Sequence, residues 1–152
     1  MENEEVTPAD EPSLFDQPDG VDWFLANQVH LADAYGIEQG ITLNVGGVLV
    51  SGMLIGGRKY FQELSDQIRR VTAGTASEGY GELMGDTHSA FVEVYPERQP
   101  DQPYPYRRIN YIHLRGALTF GSNGIMSPRE GVYWRGKLSS VDGYSFGNLS
   151  QS

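Results

Sequence analysis

Few side chains in this sequence are spaced for chemistry, and the best placed lie on two alternating segments in its C-terminal third. Tyr111, His113 and Arg115 take every second position of INYIHLRGALTF, and Tyr133, Arg135 and Lys137 do the same in VYWRGKLSS. Successive side chains of a strand point to opposite faces, so each trio forms one outward row. Neighbouring strands would merge the rows into one aromatic and cationic stripe, with Trp134 buried behind it. Tyr and Arg are favoured anchors at protein interfaces, and the same combination can stack single-stranded nucleic acid.

Catalysis fits the residues less well. As a general base, His113 would need a nucleophile or a tuning carboxylate, and its own strand supplies neither. His30 and Asp33 stand three apart in a helical stretch, which gives two metal ligands on one side but not a coordination set. There is no cysteine, so thiolate metal sites, cysteine nucleophiles and disulfides are excluded, as suits a reducing interior. G-x-S-x-G, P-loop and G-x-G-x-x-G motifs are all absent. The expectation is a protein without cofactor, metal or enzymatic activity.

The elements that must position these rows can be read from periodicity. Residues 21–35 are amphipathic at helical spacing, with Asp22 placed to cap the start and Gly36 to end it. A hairpin follows, in which Val45 and Val48 pair across a two-residue Gly46-Gly47 turn. Residues 58–71 read as a second helix with Phe61, Leu64, Ile68 and Val71 on one stripe. Residues 74–89, rich in Gly, Ser and Thr, read as a mobile connection, and 91–95 as a short strand. Four prolines within residues 96–106 demand an extended loop. On the strand after it, Ile112, Leu114, Leu118 and Phe120 should face in. Asp142-Gly143 suits a type I′ hairpin turn into the run of Tyr144 and Phe146. The sum is an α+β fold, a small twisted antiparallel sheet able to curl toward a barrel, with two helices packed on its apolar face.

Composition limits the partners. The chain has 152 residues and a formal charge of −9, and its first twenty residues carry seven acidic and no basic side chains. That segment buries too little apolar surface to offset chain entropy, so 1–20 read as a disordered acidic tail and 21–150 as one domain. The folded part is then close to neutral. An acidic chain repels nucleic acid and anionic lipid, which counts against both as partners. The longest apolar run, 45–55, is interrupted by glycines and too short to span a membrane, and no secretory leader is evident. A cytoplasmic protein is expected.

Four blocks carry a family resemblance: ITLNVGGVLVSG at 41–52, KYFQELS at 59–65, YIHLRG at 111–116 and WRGKLSSVDGYSFGNLS at 134–150. In order and spacing they resemble the gas vesicle accessory protein GvpU family. About half the chain is covered; the acidic N-terminus and residues 74–108 contain no recognisable block. The resemblance implies cytoplasmic association with gas vesicles and their clustering through reversible self-association. The partners would be the vesicle shell or other gas vesicle proteins, and further copies of the chain. A WRG strand before a VDG turn is also similar in shape to Sm-like small barrels. The alternative is therefore an RNA-binding or ring-forming β-barrel that uses the same sheet face.

Overall fold

A computed structural model describes residues 13–149. The expected disorder of the acidic tail therefore falls mostly on residues outside the described ones. The first helix, α1 (Trp23–Tyr35), is capped by Asp22, whose carboxylate accepts from the Leu25 N–H at 3.1 Å, and it ends at Gly36. β1 (Gln39–Val45) and β2 (Val48–Ile55) form the expected hairpin with Val45 opposite Val48. Gly46 and Gly47 hold φ of 59° and 85°, the two positive values that a type I′ turn requires.

β3 (Tyr111–Gly121), β4 (Gly124–Ile125), β5 (Val132–Lys137) and β6 (Gly143–Phe146) complete a six-stranded sheet. Its order is β4-β3-β2-β1-β6, with β5 also pairing β3, and every pairing is antiparallel. The fold is α+β, with helices packed on the sheet, as expected. The sheet stays open, so no barrel forms.

The main core lies between α1 and one sheet face. Leu25, Ala26, Val29 and Ala32 of α1 pack with Ile41, Leu43, Val50, Leu54, Ile112, Leu114 and Ala117. Leu138, in a 3₁₀ turn (Leu138–Ser140), closes this layer at 1% exposure. β3 does not keep the strict alternation of its sequence. Its register against β2 and β5 shifts around Gly116, which sits at φ 61°. An extra residue in one strand reverses the face of all that follow. Ala117 therefore enters the core, while Leu118 and Phe120 pass to the face opposite Leu114.

α2 (Gly57–Thr72) crosses that opposite face, and the predicted connection after it is a helix, α3 (Glu78–Ala90). Its glycines had suggested mobility. Two of them instead allow close helix packing: a Cβ on Gly81 would collide with Thr72, and one on Gly85 would lie 2.6 Å from the Arg69 Nε. The Ser65 hydroxyl donates to the Gly85 carbonyl at 2.7 Å across the same seam. α2 thus meets α3 through Ser65, Arg69 and Thr72, while Val71 of the predicted apolar stripe remains 61% exposed. Residues 91–95, expected as a strand, contain a 3₁₀ turn (Phe91–Val94) that places Tyr95 over β3.

A further correction concerns Asp142-Gly143. β5 and β6 do not form a hairpin but lie at opposite edges of the sheet. Gly143 has no positive φ and simply begins β6. The Asp142 carboxylate instead accepts from the Gly46 N–H at 2.9 Å, bracing the Gly46-Gly47 turn.

Candidate functional site

β3 and β5 are neighbours, and their register sets Tyr111 opposite Lys137, His113 opposite Arg135 and Leu114 opposite Trp134. The two rows therefore merge as the alternation suggested. What the sequence could not give is that α2 and the 3₁₀ turn lie over part of the stripe.

His113 shows this most clearly. Expected to face outward, it is fully buried, with ring centroids 4.6 Å from Tyr60, 5.6 Å from Tyr95 and 5.9 Å from Phe61. Arg135 reaches over it, its Nη1 donating to the imidazole Nε2 at 2.9 Å. A guanidinium can only donate, so Nε2 accepts and a neutral ring carries its proton on Nδ1. Nδ1 has no hydrogen-bond partner among the described residues. Burial, with the Arg135 charge in second place, pushes the pKa of His113 down to about 3. A ring so enclosed and so hard to protonate is a packing element with one polar contact.

Arg115 and Tyr133 are also engaged within the molecule. The Arg115 Nη2 lies 2.6 Å from the Glu38 Oε2, and its Nη1 lies 3.2 Å from the Glu63 Oε1. Lys59 pairs with Glu38 as well, and the Tyr133 hydroxyl donates to the Glu63 Oε1 at 3.1 Å. Hydrogen bonds from Arg115 and then Lys59 hold Glu38 below the usual carboxylate range, while burial and the bond to Glu63 raise Tyr133. This network links the α1–β1 connection, α2, β3 and β5. Trp134 faces the other way, half-buried against the main core, and its ring occupies the space where a Cβ on Gly136 would lie.

Three predicted residues remain at the surface: half-buried Tyr111, and exposed Arg135 and Lys137. The Arg135 guanidinium carbon stands 3.8 Å from the Tyr111 ring centroid, a cation–π contact that fixes the charge along the β5 edge. Beside Tyr111 opens a cleft of about 240 Å³, lined among others by Tyr95, Tyr104, Arg107, Arg108 and Ile109. Periodicity gives Arg107 and Arg108 no role, because they fall between the proline-rich loop and the strand. The signal is the RR pair that starts three residues after Tyr104 and ends three before β3 begins.

A second surface was also missed. Phe15, Trp23, Phe24, Tyr144 and Phe146 form a chain of ring contacts with centroid separations of 5.1 to 6.4 Å. Phe15 is 68% exposed, Trp23 46%, Phe24 41% and Phe146 51%. The Tyr144 hydroxyl donates to the Asp22 carboxylate at 2.5 Å, tying β6 to the cap of α1. Helical spacing puts Trp23 and Phe24 on the apolar stripe of α1, whereas Tyr144 and Phe146 belong only to an alternating run and Phe15 to the segment read as an acidic tail. In the fold they gather at the margin of the α1–sheet layer, where the β6 edge leaves them uncovered.

His30 and Asp33 are likewise engaged within the fold. His30 stacks on Tyr106 at 4.2 Å, and Asp33 accepts from the Gly57 N–H at 2.8 Å, supplying the cap that α2 lacks from its own Gly56. Burial raises the Asp33 carboxyl to about 6. Among the described residues no three His, Asp or Glu side chains are grouped to hold a metal ion, and no helix is long and apolar enough to cross a membrane.

Set beside known families, residues 22–149 match a model described as gas vesicle protein GvpU-like. The match runs through residues 74–108, where the sequence offered no recognisable block. No curated protein and no solved structure matches the chain.

Proposed function

The chain belongs to the GvpU-like family of gas vesicle proteins, and on that premise we propose that it is a non-enzymatic cytoplasmic accessory protein that adheres to gas vesicles and clusters them by reversible self-association. The observation that carries this reading beyond the family is the presence of two exposed surfaces of different chemistry at opposite sheet edges. Tyr111 of β3 and Arg135 and Lys137 of β5 lie at one edge, and Trp23, Phe24 and Phe146 gather beside β6. An agent that draws particles together needs at least two adhesive sites, because one site can coat a particle but cannot bridge two. Exposed aromatic clusters of this kind are characteristic of protein contact sites. One surface engages the vesicle shell or a protein on it, and the other engages a further copy of the chain.

Light scattering of the purified protein at increasing concentration tests the self-association. Association through the cationic row weakens steeply between about 50 and 500 mM salt, since exposed charges beyond a Debye length are screened, and is removed by Arg135→Ser with Lys137→Ser. Association through the aromatic cluster persists at high salt and is removed by Trp23→Ser with Phe146→Ser. One pair of substitutions should therefore abolish the scattering and the other should leave it. Scattering that neither pair of substitutions changes would contradict the assignment. The RNA reading gains nothing from the geometry, because the sheet is open and the chain carries −9.

A further inference from the structure

The cleft beside Tyr111 is an uncommon feature on so acidic a chain. Arg107 and Arg108 are exposed on its wall, and neither forms an ion pair among the described residues. The Arg107 Nη1 donates to the Val94 carbonyl at 2.9 Å, which holds its charge at the rim. Arg135 stacks on Tyr111, itself a lining residue, and so adds a third guanidinium next to the cleft. The one carboxylate lining the cleft, Asp33, accepts from the Gly57 N–H and feels the Arg107 charge, yet burial outweighs both and raises its carboxyl to about 6. Tyr95, Tyr104 and Tyr111 supply flat apolar area between the charges. Arginine forks alternating with tyrosine rings suit an acidic peptide, whose carboxylates accept from guanidinium while its apolar groups lie on the rings.

The backbone at the cleft floor indicates which acidic peptide. The Ile109 N–H donates to the Gln17 Oε1 at 3.0 Å, and the Gln17 Nε2 donates to the Leu14 carbonyl at 3.1 Å. Gln17 is thus a clip that fixes residues 14–17 beside Ile109, itself a lining residue. The residues that precede the clip include Glu2, Glu4, Glu5, Asp10 and Glu11, with no basic side chain among the first twelve. Twelve residues reach at most about 40 Å, ample for a neighbouring cleft, and a tether this short gives a local concentration on the order of millimolar. We propose that the Arg107/Arg108 cleft is an acidic-peptide site and that the chain's own residues 1–12 occupy it in the same molecule. Arg107 and Arg108 supply the donors for its carboxylates, and the tyrosine rings supply the apolar area beside them. The proposal goes beyond the vesicle reading and does not depend on it.

The test uses the full-length chain and a fluorescently labelled synthetic peptide of residues 1–12, followed by anisotropy at low salt. In one variant the segment is neutralised in place: Glu2→Gln, Glu4→Gln, Glu5→Gln, Asp10→Asn and Glu11→Gln. This variant should bind the peptide at least about tenfold more tightly than the natural chain, whose own segment competes from its tether. Adding Arg107→Glu and Arg108→Glu to it should abolish binding. Adding Arg70→Glu and Arg129→Glu instead, an equal change of charge at exposed sites outside the cleft, should leave at least about half of the affinity. Failure of the neutralised chain to bind would overturn the site. Equal binding by the natural and neutralised chains would overturn occupancy by the chain's own segment. Binding that survives reversal at Arg107 and Arg108 would overturn the location. The assay contains no vesicles, so its failure is distinct from failure of the vesicle reading.

Discussion

At the scale of single residues, the fold neutralises chemistry that the sequence seemed to offer. His113 is held uncharged, with a pKa of about 3 against an ordinary value near 6.5. The unfolded chain therefore takes up this proton first as pH falls. Stability that is complete above about pH 6.5 is lost between there and about pH 3, at roughly 1.4 kcal/mol per pH unit. Asp33 acts in the opposite sense. Its carboxyl titrates at about 6 when folded and near 3.8 when unfolded, so its contribution is full below about pH 4 and is lost as pH rises to 6. The two slopes oppose one another in the same window, and the wild type alone should show little net pH dependence from them. His113→Leu separates them. Urea titrations at pH 7 and pH 5 should show the variant gaining about 2 kcal/mol relative to wild type at the lower pH. An identical difference at both values would mean that His113 is not buried in its neutral form. The row positions of His113 and Arg135 were legible from alternation. The burial of one and exposure of the other were not, because they depend on where α2 and Tyr95 come to rest.

At the scale of elements, local signals were read well wherever a cap or turn is satisfied within a few residues. Asp22, Gly36 and the Gly46-Gly47 turn all serve as their chemistry suggests. Signals that need a distant partner were misread. Gly81 and Gly85 looked like chain breakers because the residues they accommodate, Thr72 and Arg69, sit on another helix. Asp142 looked like a hairpin residue because its real acceptor role, toward Gly46, spans nearly a hundred positions. Gly116 hid a bulge inside clean alternation, and with it the face of Leu118 and Phe120. The helix seam gives a direct test. Gly81→Ala has no space against Thr72 and should cost about 1 to 3 kcal/mol, whereas Gly79→Ala, where a Cβ meets nothing within 4 Å, should be neutral or stabilising. Equal melting temperatures for the two variants would contradict the close packing of α2 and α3. Arg115→Met tests the network that joins α2 to the sheet. With its carboxylate partners about a quarter exposed, a loss of about 1 to 2 kcal/mol is expected, and it should shrink at high salt. A loss that is unchanged by salt would assign the effect to packing of the Arg115 stem.

At the scale of the whole molecule, an open sheet with distinct edges places a cationic row at one edge and an aromatic cluster at the other. Family membership supplies the setting of gas vesicles, and this division of surface supplies the physical basis of the proposed bridging. The four sequence blocks were enough to suggest the family, since each forms part of the sheet or the start of α2. The second surface was not legible, because its rings come from α1, β6 and the segment before α1, and only the fold brings them together. The most direct measurement is co-flotation of the purified protein with intact gas vesicles stripped of accessory proteins, scoring bound protein and cluster size in the buoyant layer together. The account predicts that wild type floats with the vesicles and enlarges the clusters. It also predicts that Arg135→Ser with Lys137→Ser, or Trp23→Ser with Phe146→Ser, abolishes clustering, and that one of these two variants still floats. Absence of wild-type protein from the buoyant layer at every salt concentration, or full clustering by both variants, would contradict it.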